Sequence, residues 1–489
     1  MRICLVNPPR IHPKSWGRPN VFQPIDLAYV AAVLESEHRV QILDAAGEGW
    51  MNIEDLDEAR CRVGLSDEDI AYKIRQFSPD IVGINVPFSG WSRMAYKVAS
   101  IVKNVDRSII TVLDGVHPSA RPINCLEDSN VDYVVIGEAE ATWVELARHL
   151  ERGVCSKDLK NVSGIGFKDG DKAVLTEPRP YIQNLDSLPF PARHLLPMNI
   201  YFEAVKKNPL RGEINKPWTV MISSRGCPYK CIFCTAHLVR GRVWRGRSPE
   251  NVIDELELLV ERYNIKQVDF HDDNMTLDKR RVSKICDLIV EKKLDIEWFL
   301  PNGVRADTLD ESLLIKMRKA GCRRVYLAPE SGVQRIVNDV IKKNLDLKKV
   351  EEIVKSCRKV GIKVACFFVI GLIGETAKDI EASINFARKL RKLGADKFYF
   401  SYAMPLYGTE LYAKALEMDL LAEGFNDDAL SAVQPLIKSI FFTTEELKEL
   451  CRKAYEINPK LSIEKLKNML RNPRIALNMA VQILNKLFD

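Results

Sequence analysis

The chain lacks the segments that anchor proteins in membranes or direct them out of the cell. Its longest apolar runs, such as VACFFVIGLIG, are shorter than the roughly 20 residues that a membrane-spanning helix needs. The amino terminus, MRICLVNPPR, has neither the basic segment nor the long apolar segment of a signal peptide. Internal repeats and low-complexity tracts are also missing. We therefore expect a cytoplasmic protein in a reducing compartment.

A large excess of charge of either sign is missing too. The 489 residues include 72 Lys or Arg and 66 Asp or Glu, which leaves a net charge of only +6. So small an excess gives no support for a nucleic-acid partner. The hydrophobic content of 46% and the charged content of 28% are typical of a globular protein. The length is sufficient for two or three domains.

Residues 1–153 alternate short apolar runs with amphipathic helical patterns. Apolar strands that alternate with helices form a parallel sheet covered on both faces. Five such units predict an α/β, flavodoxin-like doubly wound domain, with a ligand beyond the carboxyl ends of its strands. The five runs are RICLVNPP, RVQILDAA, DIVGINVP, IITVLDGV and DYVVIG.

Residues 154–217 differ in character from the first domain. The segment GIGFKDGDKAVLTEP predicts a β-hairpin with its turn at Asp169, Gly170 and Asp171. The segment DSLPFPARHLLP carries three prolines and predicts an irregular linker across the surface.

A second alternation of strands and helices occupies residues 218–420. Six consecutive βα units predict a partial (β/α)6 TIM barrel, open because eight units close the full ring. Residues 421–489 predict a small, basic, helical C-terminal region. The six strand segments are TVMISSRG, QVDFHDD, IEWFLPNGVRA, RRVYLAPES, KVACFFVIG and KFYFSYAMP.

Three of the twelve cysteines lie within eight residues. Cys227, Cys231 and Cys234 form Cys-x3-Cys-x2-Cys after the first barrel strand, where such barrels gather their chemistry. A structural zinc site needs four ligands, and His237 is available as the fourth. Such sites usually pair a Cys-x2-Cys with a distant second pair, which this loop does not do. A cubane iron–sulfur cluster held by three thiolates keeps one iron open, and we favour it.

This motif, with Phe233 directly before its last cysteine, resembles the radical S-adenosylmethionine superfamily. The resemblance implies that the three cysteines bind a 4Fe–4S cluster, with Phe233 among the residues at the cofactor. The open iron is then chelated by the amino and carboxylate groups of S-adenosylmethionine, and one electron cleaves the sulfonium to a 5′-deoxyadenosyl radical. An electron donor such as flavodoxin or ferredoxin is implied as a partner.

The resemblance also assigns residues after the second and third barrel strands. Asp273 and Asn274 lie where the family binds the methionine amino group, although the family's Gly-Gly-Glu is missing here. A helix cap is the structural alternative for this pair. Arg305 is implied to bind the methionine carboxylate bidentately. The alternative for Arg305 is a surface ion pair.

Two later segments are implied to contact the adenosyl part. Glu330 and Ser331, in APESG, lie where the family contacts ribose, and a cap at the barrel rim is the alternative. Gly371 and Glu375, in VIGLIGET, resemble the segment beside adenine. The same glycines are suited to a strand-to-helix turn, and both roles are compatible.

The first domain resembles the cobalamin-binding domain fused to many radical enzymes. The cobalamin-mutase signature Asp-x-His-x-x-Gly is missing, so we expect base-off cobalamin without a histidine on cobalt. Ser89 or Trp91 is expected nearest the lower face of the corrin ring. His117 is expected at the nucleotide or corrin edge, and Glu138 is also expected at the cobalamin site. The alternatives are a capped or surface histidine, helix-start packing for Trp91 and a helix cap for Glu138. A flavin or an empty fold also stays compatible. The matching segments are NPPR, PIDLAYVAAVLE, LDGVHPSARP and DYVVIGEAEATW.

Together the resemblances cover about residues 1–420 and imply an enzyme. The expected reaction is methyl transfer to an unactivated carbon of a small molecule or lipid, through a 5′-deoxyadenosyl radical and methylcobalamin. A cobalamin-dependent radical cyclase, rearrangement or lipid-tailoring enzyme without methyl transfer is the alternative. A zinc-bearing binding protein is least favoured. The apolar face of RIALNMAVQILNKLF either packs on the barrel or contacts a membrane surface.

Overall fold

The computed structural model describes residues 1–17, 19–153, 156–207 and 216–458. Its described part contains a seven-stranded sheet, a six-stranded sheet and two small antiparallel sheets. The strands of the first part are β1 (Arg2–Asn7), β2 (Arg10–Pro13), β3 (Arg39–Asp44), β4 (Ile53–Asp55), β5 (Arg60–Val63), β6 (Ile81–Asn85), β7 (Ile110–Asp114), β8 (Tyr133–Val135), β9 (Ile165–Asp169) and β10 (Lys172–Leu175). The helices of this part are α1 (Ile25–Leu34), α2 (Ala45–Glu48), α3 (Asp67–Phe77), α4 (Ser92–Val105), α5 (Val116–Ala120), α6 (Pro122–Glu127), α7 (Ala139–Glu151), α8 (Ser156–Leu159) and α9 (Met198–Lys207).

The first sheet has the predicted doubly wound topology. Its five parallel strands lie in the order β3-β1-β6-β7-β8, which is the flavodoxin-like order. Strand β6 is buried along its whole length, as expected for a parallel strand covered on both faces. The predicted hairpin is present as β9 and β10, and β9 pairs antiparallel with β8. The hairpin therefore extends the edge of this sheet.

A small antiparallel sheet in the first domain was not predicted. Strand β5 pairs with both β2 and β4 in the order β2-β5-β4. Strand β2 falls in the proline-rich segment NPPRIHPKSWG. Its four residues are too few to show a periodic pattern, and its pairing partner lies some fifty residues away.

The second large sheet is the predicted open barrel. All its strand pairs are parallel, and their spatial order follows the chain: β11-β14-β15-β16-β17-β18. The strands of this part are β11 (Trp218–Met221), β12 (Ser224–Arg225), β13 (Arg245–Gly246), β14 (Gln267–Phe270), β15 (Glu297–Val304), β16 (Cys322–Glu330), β17 (Lys363–Ile370) and β18 (Lys397–Tyr402). The helices are α10 (Ala236–Arg240), α11 (Pro249–Tyr263), α12 (Lys279–Glu291), α13 (Glu311–Lys319), α14 (Leu347–Val360), α15 (Ala377–Leu393), α16 (Glu410–Glu417) and α17 (Thr444–Tyr455).

The barrel helices begin where the sequence supplies capping side chains. Each cap accepts a hydrogen bond from a backbone N–H of the first helical turn, which otherwise has no partner. Because each helix starts at a defined residue after a strand, the loops at the carboxyl ends of the strands have fixed lengths. The caps are Ser248, Asp278, Asp310, Asp346, Thr376 and Thr409.

The first barrel strand packs directly on the first domain. Trp218 is fully buried in a core cluster shared with helix α1, and the Gln23 amide donates to its carbonyl oxygen over 3.0 Å. The proline-rich segment joins the same interface. Arg193 was expected in a surface linker, but it is 2% exposed and its guanidinium pairs with Glu255 at 2.6 Å. This segment therefore contributes to the core between the two domains.

Residues at the end of α17 and just after it cover the exposed edge of the last barrel strand, β18. The Asn458 side chain accepts from the Phe398 N–H over 2.9 Å and donates to the Phe398 carbonyl over 2.8 Å. The Tyr455 hydroxyl donates to the Phe400 carbonyl over 2.9 Å. These bonds satisfy backbone groups of β18 that would otherwise form an exposed strand edge.

The C-terminal region is only partly helical in the part that the structure describes. Residues 421–443 are irregular apart from a 3-10 turn at Asp428–Ser431, and α17 follows. The apolar tail segment proposed for membrane contact lies outside the described residues. Of the helices described, none combines the length and apolar character that crossing a bilayer requires.

Candidate functional site

The two domains meet at the edges where each is expected to bind ligands. A cleft of about 140 Å³ lies between the carboxyl ends of the first sheet and the loops at the barrel mouth. Asn85, Asp114 and Gly137 line it from the ends of β6, β7 and β8. Ala236 and Asp273 line it from the barrel. This is the position at which doubly wound sheets and βα barrels both place their ligands.

Buried ion pairs hold the two sides of the cleft together. The Glu138 carboxylate pairs with Arg225 at 3.2 Å and with Arg245 at 2.8 Å, and Glu140 pairs with Arg225 at 2.5 Å. All four side chains are at least nine-tenths buried. Glu138, expected at the corrin site, lines the cleft but spends both carboxylate oxygens on these contacts. Its observed role is to join the domains.

The cysteine loop begins with a glycine that no other residue replaces easily. Gly226 has a φ of +83°, and a Cβ there would lie 2.2 Å from the Val243 carbonyl oxygen. Its N–H donates to Asp273 over 2.8 Å. Farther along, the Ile232 N–H donates to the Ile341 carbonyl over 3.2 Å. The loop is therefore fixed to the barrel just before its first cysteine and again between its second and third cysteines.

Cys227, Cys231 and Cys234 are free thiols, each half-buried. Burial raises the pKa of all three, to about 11 for Cys234, while nearby Lys343 and Arg305 lower the pKa of Cys227 and Cys231. A bound metal centre would hold them as thiolates.

The donor set at this loop differs from that of a structural zinc site, which needs four side-chain ligands in a tetrahedron. Among the residues that the structure describes, no three His, Cys, Asp or Glu side chains are placed to hold one metal ion. His237 turns its Nδ1 to the Cys234 carbonyl, 3.0 Å away. A loop that offers three thiols fits a cluster held by three thiolates.

Phe233 packs on an apolar cluster that also contacts Cys231. This cluster joins the cysteine loop to residues after β16 and β17 and to α16. Its buried members are Ile232, Ile336, Ile341, Leu372, Ala403, Leu411 and Ile437.

Arg305 lies at the cysteine loop, but its guanidinium is already engaged. Two of its nitrogens donate to Asp307, over 3.0 and 2.6 Å, and a third donates to the Lys343 carbonyl over 2.6 Å. The guanidinium also lies 3.6 Å from the ring centroid of Tyr229. The bidentate face that the prediction assigned to a ligand carboxylate is thus occupied by Asp307.

A lysine that the sequence analysis did not identify lies beside Arg305. The Lys343 ammonium, 5% exposed, donates to Glu330 over 2.7 Å. Glu330 has a φ of +65°, a strained conformation for a non-glycine residue that is often stored at functional sites. Lys343 lies in a short connection before α14, so no strand-end pattern marks it. Glu330 is therefore at the mouth as predicted, with an unpredicted cation as its partner.

Asn274 is the strongest sign of a ligand among the predicted residues. Its side chain is 2% exposed, and neither its amide nitrogen nor its amide oxygen has a hydrogen-bond partner. A buried amide without partners costs about 1–3 kcal/mol, so such groups are rare unless something else binds them. The neighbouring Asp273 accepts from Gly226 and lines the cleft.

Ser331 and Glu375 are both buried but in different surroundings. The Ser331 hydroxyl lies 3.0 Å from that of Ser383 on α15 and accepts from the Val333 N–H, so it caps the rim. Glu375 accepts from the N–H groups of Gly371 and Leu372 through one oxygen. Its other oxygen is buried without a partner. Burial raises the pKa of Glu375 to about 8.

Two of the residues predicted at the corrin, Ser89 for its lower face and His117 for its edge, are hydrogen-bonded to each other beside the cleft. His117 is 1% exposed, and its two ring nitrogens lie 3.0 Å from Ser89 Oγ and 3.2 Å from the Tyr96 hydroxyl. Burial lowers the pKa of His117 to about 4, so the imidazole is neutral at pH 7. The Trp91 indole donates to the Ile11 carbonyl over 3.1 Å.

The C-terminal region reaches this group through Asp427, which the sequence analysis did not identify. Asp427 accepts from Ser92 over 2.8 Å and from Arg121 over 3.1 Å, and it lies 3.6 Å from His117. Asp427 and Ser92 are 335 residues apart, and no local pattern connects them. Residues 421–443 thereby fasten the barrel to the first domain on a second side.

The chain resembles known proteins over nearly its whole length. Residues 221–387 match the radical SAM superfamily, and residues 18–147 match the B12 binding domain. An uncharacterized methyltransferase of Pyrococcus horikoshii is 35% identical over 468 residues, which are 95% of this chain and 94% of that protein. Cytidylyl-2-hydroxyethylphosphonate methyltransferase of Streptomyces wedmorensis is 32% identical over 445 residues, 84% of this chain and 80% of the relative.

A solved structure shares the fold. The radical S-adenosylmethionine methyltransferase TsrM from Kitasatospora setae, with cobalamin and a [4Fe-4S] cluster bound, superposes with a TM-score of 0.70. The match covers 94% of this chain and 89% of that one, at 16% sequence identity. The arrangement of a doubly wound domain followed by an open barrel is therefore common to both.

The buried carboxyl of Glu375 predicts a pH-dependent stability. Because its pKa of about 8 in the folded protein exceeds the unfolded value of about 4.3, its contribution is complete below pH 4 and is lost as the pH rises through 8. Glu375→Gln keeps both acceptor bonds without a titrating proton. Between pH 5 and 8, we expect the free energy of unfolding of the variant, relative to that of the wild type, to rise by up to about 1.4 kcal/mol per pH unit.

Urea denaturation at several pH values measures this difference. Glu381→Gln, at an exposed position on α15, is the matched control and should track the wild type. A constant difference between Glu375→Gln and the wild type across this range would show that Glu375 is ionised in the folded protein.

Proposed function

Because the chain belongs to the family of cobalamin-binding radical S-adenosylmethionine enzymes, we propose that it transfers a methyl group to an unactivated carbon of a small-molecule substrate. The observation that carries the proposal is the set of three half-buried free thiols in the loop after the first barrel strand. Ala236, two residues after Cys234, lines the cleft at the ligand edge of the first domain. Two relatives more than 30% identical to the chain are named as methyltransferases. A carrier such as flavodoxin or ferredoxin supplies the electron.

The cysteine loop would hold a 4Fe–4S cluster, and the carboxyl ends of the first sheet's strands, which line the cleft, are where cobalamin would bind. When bound, these groups supply the electron that cleaves S-adenosylmethionine and the methyl group that is transferred. Cys227, Cys231 and Cys234 would hold the cluster through three thiolates. Small residues at the cleft, among them Gly115 and Gly137, permit close approach of a flat ring.

The residues of this chain position S-adenosylmethionine and exclude water. Asn274 offers an unpartnered amide to the methionine amino group, and Lys343, paired with Glu330, supplies a buried cation for the carboxylate. The Glu375 carboxylate accepts a hydrogen bond from the backbone N–H of Gly371 and so holds the turn at that residue. The apolar cluster around Phe233 keeps solvent from the thiols, which protects a reactive radical.

The lower side of the cobalamin site is proposed at Ser89 or Trp91, with His117 at the nucleotide or corrin edge. His117 is neutral and already bonded to Ser89 and Tyr96, which supports a cobalt without a histidine ligand. Glu138 would act there by joining the domains. A lipid substrate would depend on tail residues outside the described part of the chain.

A labelled methyl group tests the proposed function without knowledge of the substrate. The protein is reconstituted anaerobically with iron, sulfide and cobalamin, then reduced with methyl-labelled S-adenosylmethionine. We expect brown protein, 5′-deoxyadenosine and label recovered on the corrinoid. Cys231→Ser should abolish deoxyadenosine formation because the cluster loses a ligand. Deoxyadenosine without label on the corrinoid would instead indicate a radical cyclase or rearrangement enzyme.

A variant at Asn274 separates ligand binding from stability. Asn274→Leu removes a buried amide that has no protein partner, so the protein should be as stable as the wild type or about 1 kcal/mol more stable. Affinity for S-adenosylmethionine should fall at least about tenfold, since one hydrogen-bonded group contributes about 1.4 kcal/mol or more. Equilibrium dialysis and thermal denaturation measure the two quantities.

The opposite pattern at Asn274 would contradict this role. If Asn274→Leu lost stability and kept its affinity for S-adenosylmethionine, the amide would serve the fold alone. Asn385→Leu, at an exposed position on α15, is the matched control and should leave the affinity within about twofold.

A further inference from the structure

The segment that carries the cysteines has an unusual charge distribution. Between Trp218 and Pro249 there are six Lys or Arg and no Asp or Glu. Four of the six pair with carboxylates from elsewhere in the chain. These are Arg225 with Glu138 and Glu140, Arg240 with Asp26, Arg245 with Glu138, and Arg247 with Glu255. In the described residues, Lys230 and Arg242 pair with no carboxylate.

These two cations lie on the outer side of the cysteine loop. Lys230 precedes Cys231 directly and is exposed. Arg242 is also exposed, and its guanidinium donates to the Tyr229 carbonyl over 2.9 Å. Apolar surface lies between them, since Pro228 is exposed and Val243 is 62% exposed. We call this surface the loop rim: Pro228, Tyr229, Lys230, Arg242 and Val243.

Acidic side chains near the loop rim are engaged elsewhere. Asp273 accepts from Gly226, Asp307 pairs with Arg305, and Glu410 pairs with Lys342 and Lys414. The loop rim therefore presents positive charge and apolar surface on residues that include the direct neighbours of Cys227 and Cys231 in the chain. The fold does not require two exposed cations without carboxylate partners next to the cysteines.

We propose that the loop rim is the docking surface for an acidic one-electron carrier protein. This inference rests on the proposed function, because the carrier's task is to reduce a cluster held by Cys227, Cys231 and Cys234. A carrier bound at the loop rim would be separated from the cysteine ligands by only one or two residues of the chain. Electron-transfer complexes are small and transient, and complementary charge chiefly raises their association rate.

Charge reversal at the loop rim tests the docking surface. The loaded wild type is compared with Lys230→Glu/Arg242→Glu in stopped flow, following loss of cluster absorbance on mixing with reduced flavodoxin, and separately with dithionite. We expect the flavodoxin rate at low ionic strength to fall about tenfold or more. The difference should shrink as salt is added. The dithionite rate, measured at high ionic strength so that the charge of this small anion is screened, should be unchanged, because a small reductant needs no docking surface.

Two further variants keep the result specific. Lys293→Glu/Lys319→Glu changes the net charge equally at the opposite end of the barrel, where both lysines are exposed, and should reduce at the wild-type rate. Lys230→Glu alone leaves the Arg242 bond to Tyr229 intact and should show a smaller loss in the same direction.

The outcomes distinguish the docking surface from the proposed function. An unchanged flavodoxin rate in both loop-rim variants, or an equal loss in the control pair, would overturn the docking surface alone. A wild-type cluster that neither flavodoxin nor dithionite reduces would overturn the proposed function together with it.

Discussion

The arrangement of the site depends on the buried ion pairs that Glu138 and Glu140 make with Arg225 and Arg245. Arg225 lies two residues before Cys227, so these pairs fix the start of the cysteine loop against the end of the first sheet. Removal of one partner from such a group leaves an uncompensated buried charge and costs about 3–5 kcal/mol. The ligand edges of two separately folded sheets are thereby held face to face.

Most of the fold follows from local pattern. The five apolar runs of the first domain and the six of the barrel became parallel strands in the expected order, because strands buried on both faces carry a strong signal. What the pattern could not show depends on distant partners. Strand β2 is short and pairs with β5, and Arg193 leaves its proline-rich segment to meet Glu255 in the core.

The site residues fall into the same two groups: those that local pattern placed, and those that depend on distant partners. The cysteines, Asn274 and Glu375 lie in loops after the first, second and fifth barrel strands, so strand ends were enough to place them at one mouth. Arg305 was identified by position as well, but only the structure shows its guanidinium engaged by Asp307 and Lys343 beside it. Lys343 and Asp427 had no sequence signal, since their partners come from other elements.

The central claim is that three thiolates hold a cluster with one iron left open for S-adenosylmethionine. Mössbauer spectroscopy of anaerobically loaded, isotope-enriched protein tests it most directly. About one iron in four should change its signal when S-adenosylmethionine is added, because only the iron without a cysteine ligand gains new bonds. A spectrum that the ligand leaves unchanged, or iron that fails to load while zinc does, would contradict the account.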